Sequence, residues 1–196
     1  NPSQFYLDEN LEPIDVAGCP PDAFSADGQL WGNPLFRWDV MREDGYSWWT
    51  MRLRKMSTLY DVIRIDHFRG FDSYYAIPGK DTTARNGVWR NGPGMELFRA
   101  VEEKLGKPDI IVEDLGFLTP SVLQLVADSG YPGMKVVQFA FDSRDDSDYM
   151  PHNYDKHCVV YTGTHDNDTI LGWMKQAPKN SVKKAKEYLR MTKEEG

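Results

Sequence analysis

The 196 residues are 40% hydrophobic and 13% aromatic, enough to bury the core of one ordinary domain and too apolar for a disordered chain. A net charge of −7 and a pI near 5.1 exclude the basic surface that nucleic acid requires, so no nucleic-acid partner is expected. No apolar run reaches the roughly 20 residues of a bilayer span and no signal peptide opens the chain, so no membrane partner is expected either.

In chain order, residues 1–43 are rich in Pro, Gly and Asp without a long period, and "GCPPDAFSADGQLWGNPLFRW" reads as a long ordered loop. From about Tyr46 to Leu59, Trp48, Met51, Leu53, Met56 and Leu59 recur at helical spacing. A strand over 62–67 follows, within "VIRIDHFRGF", and then a Gly-rich excursion. Met95 to Leu105 reads as a helix stopped by Gly106. "DIIVED" is a buried strand ending in two acids, and Thr119-Pro120 caps a helix that runs to Gly130. "KVVQFAFD" and "HCVVYTGTHD" read as two more strands, and helical patterns at 168–176 and 181–190 close the chain. The Lys183, Lys184 and Lys186 cluster reads as a solvated helix face. Cys19 and Cys158 stand in no motif and read as reduced thiols of a cytoplasmic protein.

Near-continuous apolar strands alternating with helices predict a parallel α/β sheet, either doubly wound or a (β/α)₈ barrel. Both put their chemistry at the carboxyl ends of the strands. No Gly-x-Gly-x-x-Gly follows a strand, which argues against a nucleotide site. The charges fall where chemistry is expected: Asp66 and His67, Glu113 and Asp114, Asp142, and His165 and Asp166 each end a predicted strand.

Side chains two apart on a strand share a face, so Arg64 and Asp66 point together while Ile63 and Ile65 face the covering helices. An arginine at that spacing keeps the Asp66 carboxylate ionised and oriented, as a nucleophile needs. Glu113 follows Ile110, Ile111 and Val112, and apolar flanks raise the pKa of a carboxyl towards that of a general acid. Two carboxyls pushed in opposite directions fit glycoside cleavage. The alternative is a structural Arg64–Asp66 pair with Glu113 capping a helix. Two His-Asp pairs on different strands make a weak metal pattern, and no metal is expected. "DSRDDSD" lacks the glycine of a calcium loop and reads as a solvated acidic loop. No nucleophile elbow supports acyl transfer, and His152 and His157 have no evident partner.

"RIDHFRGF", "IIVEDLG" and "VVYTGTHDNDT", preceded by "GCPPDAFSADGQLWGNPLFRW", resemble four successive blocks of the amylomaltase or disproportionating-enzyme family, the 4-α-glucanotransferases. The resemblance runs nearly end to end. It implies a (β/α)₈ barrel of the α-amylase clan that uses no cofactor and moves α-1,4-glucan segments between maltooligosaccharide donor and acceptor by a retaining double displacement. By motif, Asp66 is the nucleophile, Glu113 the acid/base and Asp166 the carboxylate that stabilises the transition state. Arg64 would hold Asp66, and His67 and His165 would hydrogen-bond the donor sugar. Sugar faces also need aromatic partners, and Trp31, with Phe24, Tyr74 and Tyr75 behind it, is the leading candidate. A barrel needs about 250 residues, and only four strands are evident. They correspond to the fourth to seventh barrel strands, with residues 1–43 as a loop-rich segment before the nucleophile strand and the rest of the barrel outside the sequence. An α-glucan hydrolase and an inactive glucan-binding fragment are the alternatives.

Overall fold

Residues 1–43 hold more regular structure than their composition predicts. The computed structural model describes residues 1–22, 25–116, 118–141 and 149–192, in two compact units, Asn1–Tyr131 and Pro132–Gly196. Within the supposed loop, Asp15–Cys19 forms β1, Gln29–Pro34 forms β2 and Trp38–Glu43 forms helix α1. β1 and β2 pair antiparallel, with a register shift between Val16 and Gly18. Gly18 permits the close approach, since a Cβ there would stand 2.1 Å from the Gln29 carbonyl oxygen.

Helix α2 (Ser47–Ser57) and strand β3 (Ile63–Ile65) come next. The Gly-rich excursion then contributes β4 (Ser73–Pro78) and β5 (Val88–Asn91), which complete an antiparallel sheet in the order β2-β1-β4-β5. The sequence predicts neither this sheet nor any antiparallel pairing. Its strands are short, and β1 meets β4 only after α1, α2 and β3 have intervened.

The parallel pairing is as expected. β3 lies beside β6 (Ile110–Val112), with Ile63 opposite Ile110 and Ile65 opposite Val112. Helix α3 (Met95–Leu105) precedes β6 and helix α4 (Pro120–Ser129) follows it. The four β-branched side chains at those paired positions are buried in one cluster with Leu53 of α2, Leu97, Phe98 and Val101 of α3, and Leu125 of α4. Met51 and Leu59, counted in the apolar stripe of α2, stand exposed instead. Thr119 caps α4 by accepting the Val122 N–H at 3.4 Å, and Gly130 ends it with a left-handed φ of +59°.

In the second unit, β7 (Gly133–Val136) pairs in parallel with β8 (Cys158–Tyr161), and helices α5 (Ile170–Gln176) and α6 (Lys179–Tyr188) follow. The strand expected over "KVVQFAFD" stops at Val136, and Val137–Phe141 coils into a 3₁₀ turn. That turn buries Gln138, Ala140 and Phe141 together, where a strand would send alternate residues to opposite faces. Ala140 and Phe141 pack on Ala185 of α6. Phe24, Asp142 and the rest of "DSRDDSD" lie outside the described residues.

Candidate active site

The site begins where β3 ends. Ile63 and Ile65 are buried, so the alternation of the strand turns Arg64 and Asp66 to the other face. There the Arg64 Nη2 donates to Asp66 Oδ1 at 2.6 Å. Asp66 remains 66% exposed, an oriented carboxylate open to a ligand.

After Asp66 the chain turns sharply. His67 adopts a left-handed backbone (φ 48°, ψ 54°) and leads a 3₁₀ turn over Phe68–Phe71; a non-glycine residue rarely sits there unless the surroundings hold it. They do so through the end of β6. The Glu113 N–H donates to the Ile65 carbonyl at 2.8 Å, and the Phe68 N–H donates to the Glu113 carbonyl at 2.9 Å. The carboxylate of Glu113 is held too: Oε2 accepts the His67 N–H at 2.7 Å and Oε1 accepts the Leu115 N–H at 2.8 Å.

Burial pushes the Glu113 carboxyl above its ordinary pKa. The two amides oppose that shift, the Asp66 charge adds to it and the Arg64 charge subtracts. Burial wins, as the apolar flanks of Glu113 predict. Each carboxyl oxygen keeps a second lone pair, where a proton or a ligand hydroxyl can be held.

Burial also depresses His67, to about 4, with the Arg69 charge acting in the same direction and the Asp66 charge against it. At neutral pH the ring is uncharged and offers one donor and one acceptor nitrogen. The His67 ring meets that of Trp31 in a T-shaped pair, with centroids 4.8 Å apart and planes at 87°. Trp31 lies on strand β2 rather than in a loop, is 42% exposed, and donates its Nε1–H to Gln29 Oε1 at 3.0 Å. Tyr75, by contrast, is buried with Val16, Ile77 and Ala84 and is core. Tyr74 is half-buried, and its hydroxyl is pushed up by burial.

Three neighbours of the site have no role in the sequence reading. The Cys19 thiol on β1 is pushed up by burial, an effect that Arg69 opposes and the charges of Asp22 and Glu113 reinforce. The Arg69 guanidinium lies 4.3 Å over the ring of Trp89 on β5. Arg69 stands in the conspicuous run after β3, but nothing in the sequence pairs it with a residue twenty positions away.

In the second unit, His165 and Asp166 follow β8. The Thr164–Asn167 turn closes through Asn167 Oδ1, which accepts from the Thr164 N–H at 2.9 Å and its hydroxyl at 3.0 Å. His165 Nε2 lies 3.4 Å from Asp166 Oδ1, and both side chains are largely exposed. The nearby Asp168 is committed to α5, accepting the Thr169 N–H at 2.7 Å and the Gln176 amide at 2.9 Å. Of the two acids, Asp166 is the one open to a ligand. Among the described residues, no group of three or more His, Cys, Asp or Glu is placed to hold a metal ion.

Comparison with known proteins identifies the family to which this fold belongs. The Glyco_hydro_77 family model, described as 4-alpha-glucanotransferase, matches residues 1–196. A 4-alpha-glucanotransferase of Clostridium butyricum is 50% identical over 198 residues, covering 100% of this chain and 41% of its own length. One from Streptococcus pneumoniae serotype 4 is 54% identical over 173 residues, 88% of this chain and 34% of its own. Among solved structures, the amylomaltase from Streptococcus agalactiae in complex with acarbose superposes with a TM-score of 0.95 at 42% identity, over 100% of this chain and 40% of that one. The chain thus spans less than half the length of these relatives. It belongs to the 4-alpha-glucanotransferase family, and its mixed α/β fold is that of part of the family's (β/α)₈ barrel.

Proposed function

We propose that this chain is the part of a 4-α-glucanotransferase that carries its nucleophile, its acid/base and its third carboxylate. The observation that carries the reading is the pairing of Asp66 and Glu113. They end adjacent parallel strands, one exposed and held by Arg64 at 2.6 Å, the other half-buried with a raised pKa. That is the difference in environment that retaining glycoside chemistry needs.

In the first half-reaction, Asp66 attacks the anomeric carbon of an α-1,4-glucan while Glu113 gives its proton to the departing 4-oxygen. The result is a β-linked glucosyl–Asp66 ester and a shortened glucan. In the second, Glu113 takes the proton of an acceptor 4-hydroxyl, whose oxygen displaces Asp66 and restores the α-linkage. Asp166 grips sugar hydroxyls more strongly as positive charge builds on the ring. Neutral His67, with His165, hydrogen-bonds the donor sugar, and Trp31 offers it an apolar face. Strands β3, β6, β7 and β8 serve as approximately the fourth to seventh strands of the barrel, with residues 1–43 preceding the nucleophile strand, and the rest of the enzyme supplies the others. The acarbose complex of the S. agalactiae relative supports an α-glucan ligand, and a cytoplasmic setting belongs to the same proposal.

The test is incubation of the full-length enzyme with maltotriose. A transferase yields glucose and a ladder of longer chains. Shortening without a ladder would make the enzyme a hydrolase, and no products at all would leave a glucan-binding protein.

A further inference from the structure

The antiparallel sheet that the sequence does not announce touches the site at both of its edges. From β2, Trp31 meets the ring of His67. From β5 and its exit, three contacts reach the turn that follows Asp66. Trp89 lies under the guanidinium of Arg69 at 4.3 Å, the Gly92 N–H donates to the Asp72 carbonyl at 2.7 Å, and the Gly94 N–H donates to the Phe71 carbonyl at 2.7 Å. Gly92 sits so close that a Cβ there would be 2.2 Å from the Phe71 carbonyl oxygen. A left-handed residue such as His67 persists only when its surroundings over-determine it. The β6 side supplies hydrogen bonds at His67 and Phe68, and the β5 side clamps Arg69 to Asp72.

From this geometry we infer that Trp89 and Arg69 are positioning residues: their stacked pair fixes the Asp66–Phe71 turn, and so sets where the Asp66 carboxylate and the His67 N–H stand relative to Glu113. The inference rests on the proposed roles of Asp66 and Glu113. Neither Trp89 nor Arg69 needs to touch the substrate. An aromatic face under a partly desolvated guanidinium holds it more firmly than an aliphatic side chain does, and the turn has no helix or long strand of its own to fix it. Titratable neighbours of Arg69 are Asp72 and the neutral His67, with the Cys19 thiol close by. Those facing the Glu113 carboxyl are Asp66 and Arg64, again with Cys19 near.

Trp89→Leu tests the idea because it leaves every charge in place. In the full-length enzyme it should lower kcat for maltotriose on the order of ten- to a hundredfold, the range a slightly misplaced reacting group produces, with KM changed by less than about twofold. A slackened His67 N–H stabilises ionised Glu113 less, so the alkaline limb of the kcat/KM profile should move to higher pH. A purely structural defect would lower the amplitude and leave that limb in place. Trp89→Phe, which restores an aromatic face, should recover most of the lost kcat. Wild-type kcat and an unmoved limb in Trp89→Leu would overturn the inference, as would a Trp89→Phe variant no better than Trp89→Leu. Should the wild-type enzyme build no ladder, the functional reading fails by itself. The positioning claim is then decided by the crystal structure of Trp89→Leu, in which the 2.7 Å bond from His67 to Glu113 should open; an unchanged bond would refute it.

Discussion

The backbone N–H of His67 donates to Oε2 of Glu113 across 2.7 Å, tying the residue after the candidate nucleophile to the candidate acid. Asp66 and Glu113 therefore shift together when either strand moves, and their separate roles are best told apart by chemistry. An α-glucosyl fluoride has a leaving group that needs little protonation. Glu113→Gln should still accumulate a glucosyl-enzyme on that substrate, visible by mass spectrometry, whereas Asp66→Asn should not. The amide of Glu113→Gln also sets an NH₂ against one of the two backbone donors, so this variant should be less stable than wild type. Equal trapping in both variants would reverse or void the assignment.

Trp31 is a candidate for keeping water off the glucosyl-enzyme. Hydrolysis gains whenever water reaches that intermediate before an acceptor sugar, and a half-exposed indole in a T-shaped pair with His67 occupies such a path. Trp31→Ala should raise the ratio of glucose released by hydrolysis to chains built by transfer, with weaker acceptor binding. An unchanged ratio on a maltotriose time course would reduce Trp31 to packing.

The depressed His67 pKa makes stability depend on pH with a definite sign. Unfolded, the ring takes its proton near 6.5; folded, it waits until about 4. Between those values the unfolded state binds the extra proton, so the stabilising effect of a neutral His67 is whole above about pH 6.5 and lost as pH falls towards 4. Urea unfolding from pH 7 to 4.5 should show a declining midpoint, and His67→Gln should flatten part of the decline. Identical slopes in the two proteins would place the titrating group elsewhere.

Behind the 3₁₀ turn, Phe98 is fully buried, with ring centroids 5.2 Å from Phe68, 5.1 Å from Phe71 and 5.8 Å from Tyr131. Phe98→Ala should destabilise the protein by about 3–5 kcal/mol, through lost burial and the cavity left behind. A loss below about 1 kcal/mol in denaturant titration would mean that the cluster closes over the gap.

What the sequence reveals follows from how local each signal is. Helix α3 is legible to the residue because its apolar stripe and the Gly106 that stops it lie within twelve positions. The Arg64–Asp66 pair is legible because strand alternation is local, and the raised Glu113 follows from its own flanks. The antiparallel sheet is not legible: β1 is five residues whose sequence, DVAGC, does not alternate apolar with polar, and its partner β4 lies more than fifty positions on. Contacts such as Trp31 on His67 or Trp89 under Arg69 depend on that sheet and are hidden with it. The strand expected over Val137–Phe141 fails for a related reason: β-branched and aromatic residues suit either a strand or a buried turn, and packing against α6 decides.

The same sheet sets a timetable during synthesis. β1 and β2 emerge before the other two strands of the sheet and can pair at once, but the other edge of β1 must await β4, whose first residue, Ser73, follows Cys19 by roughly fifty positions. At about 5–20 residues per second the ribosome leaves that edge unsatisfied for some 3–10 seconds, while α2 and β3 are being made. The centre of this sheet is thus open to mispairing for that interval, and the clamp on the Asp66 turn is completed only after β5 has left the exit tunnel.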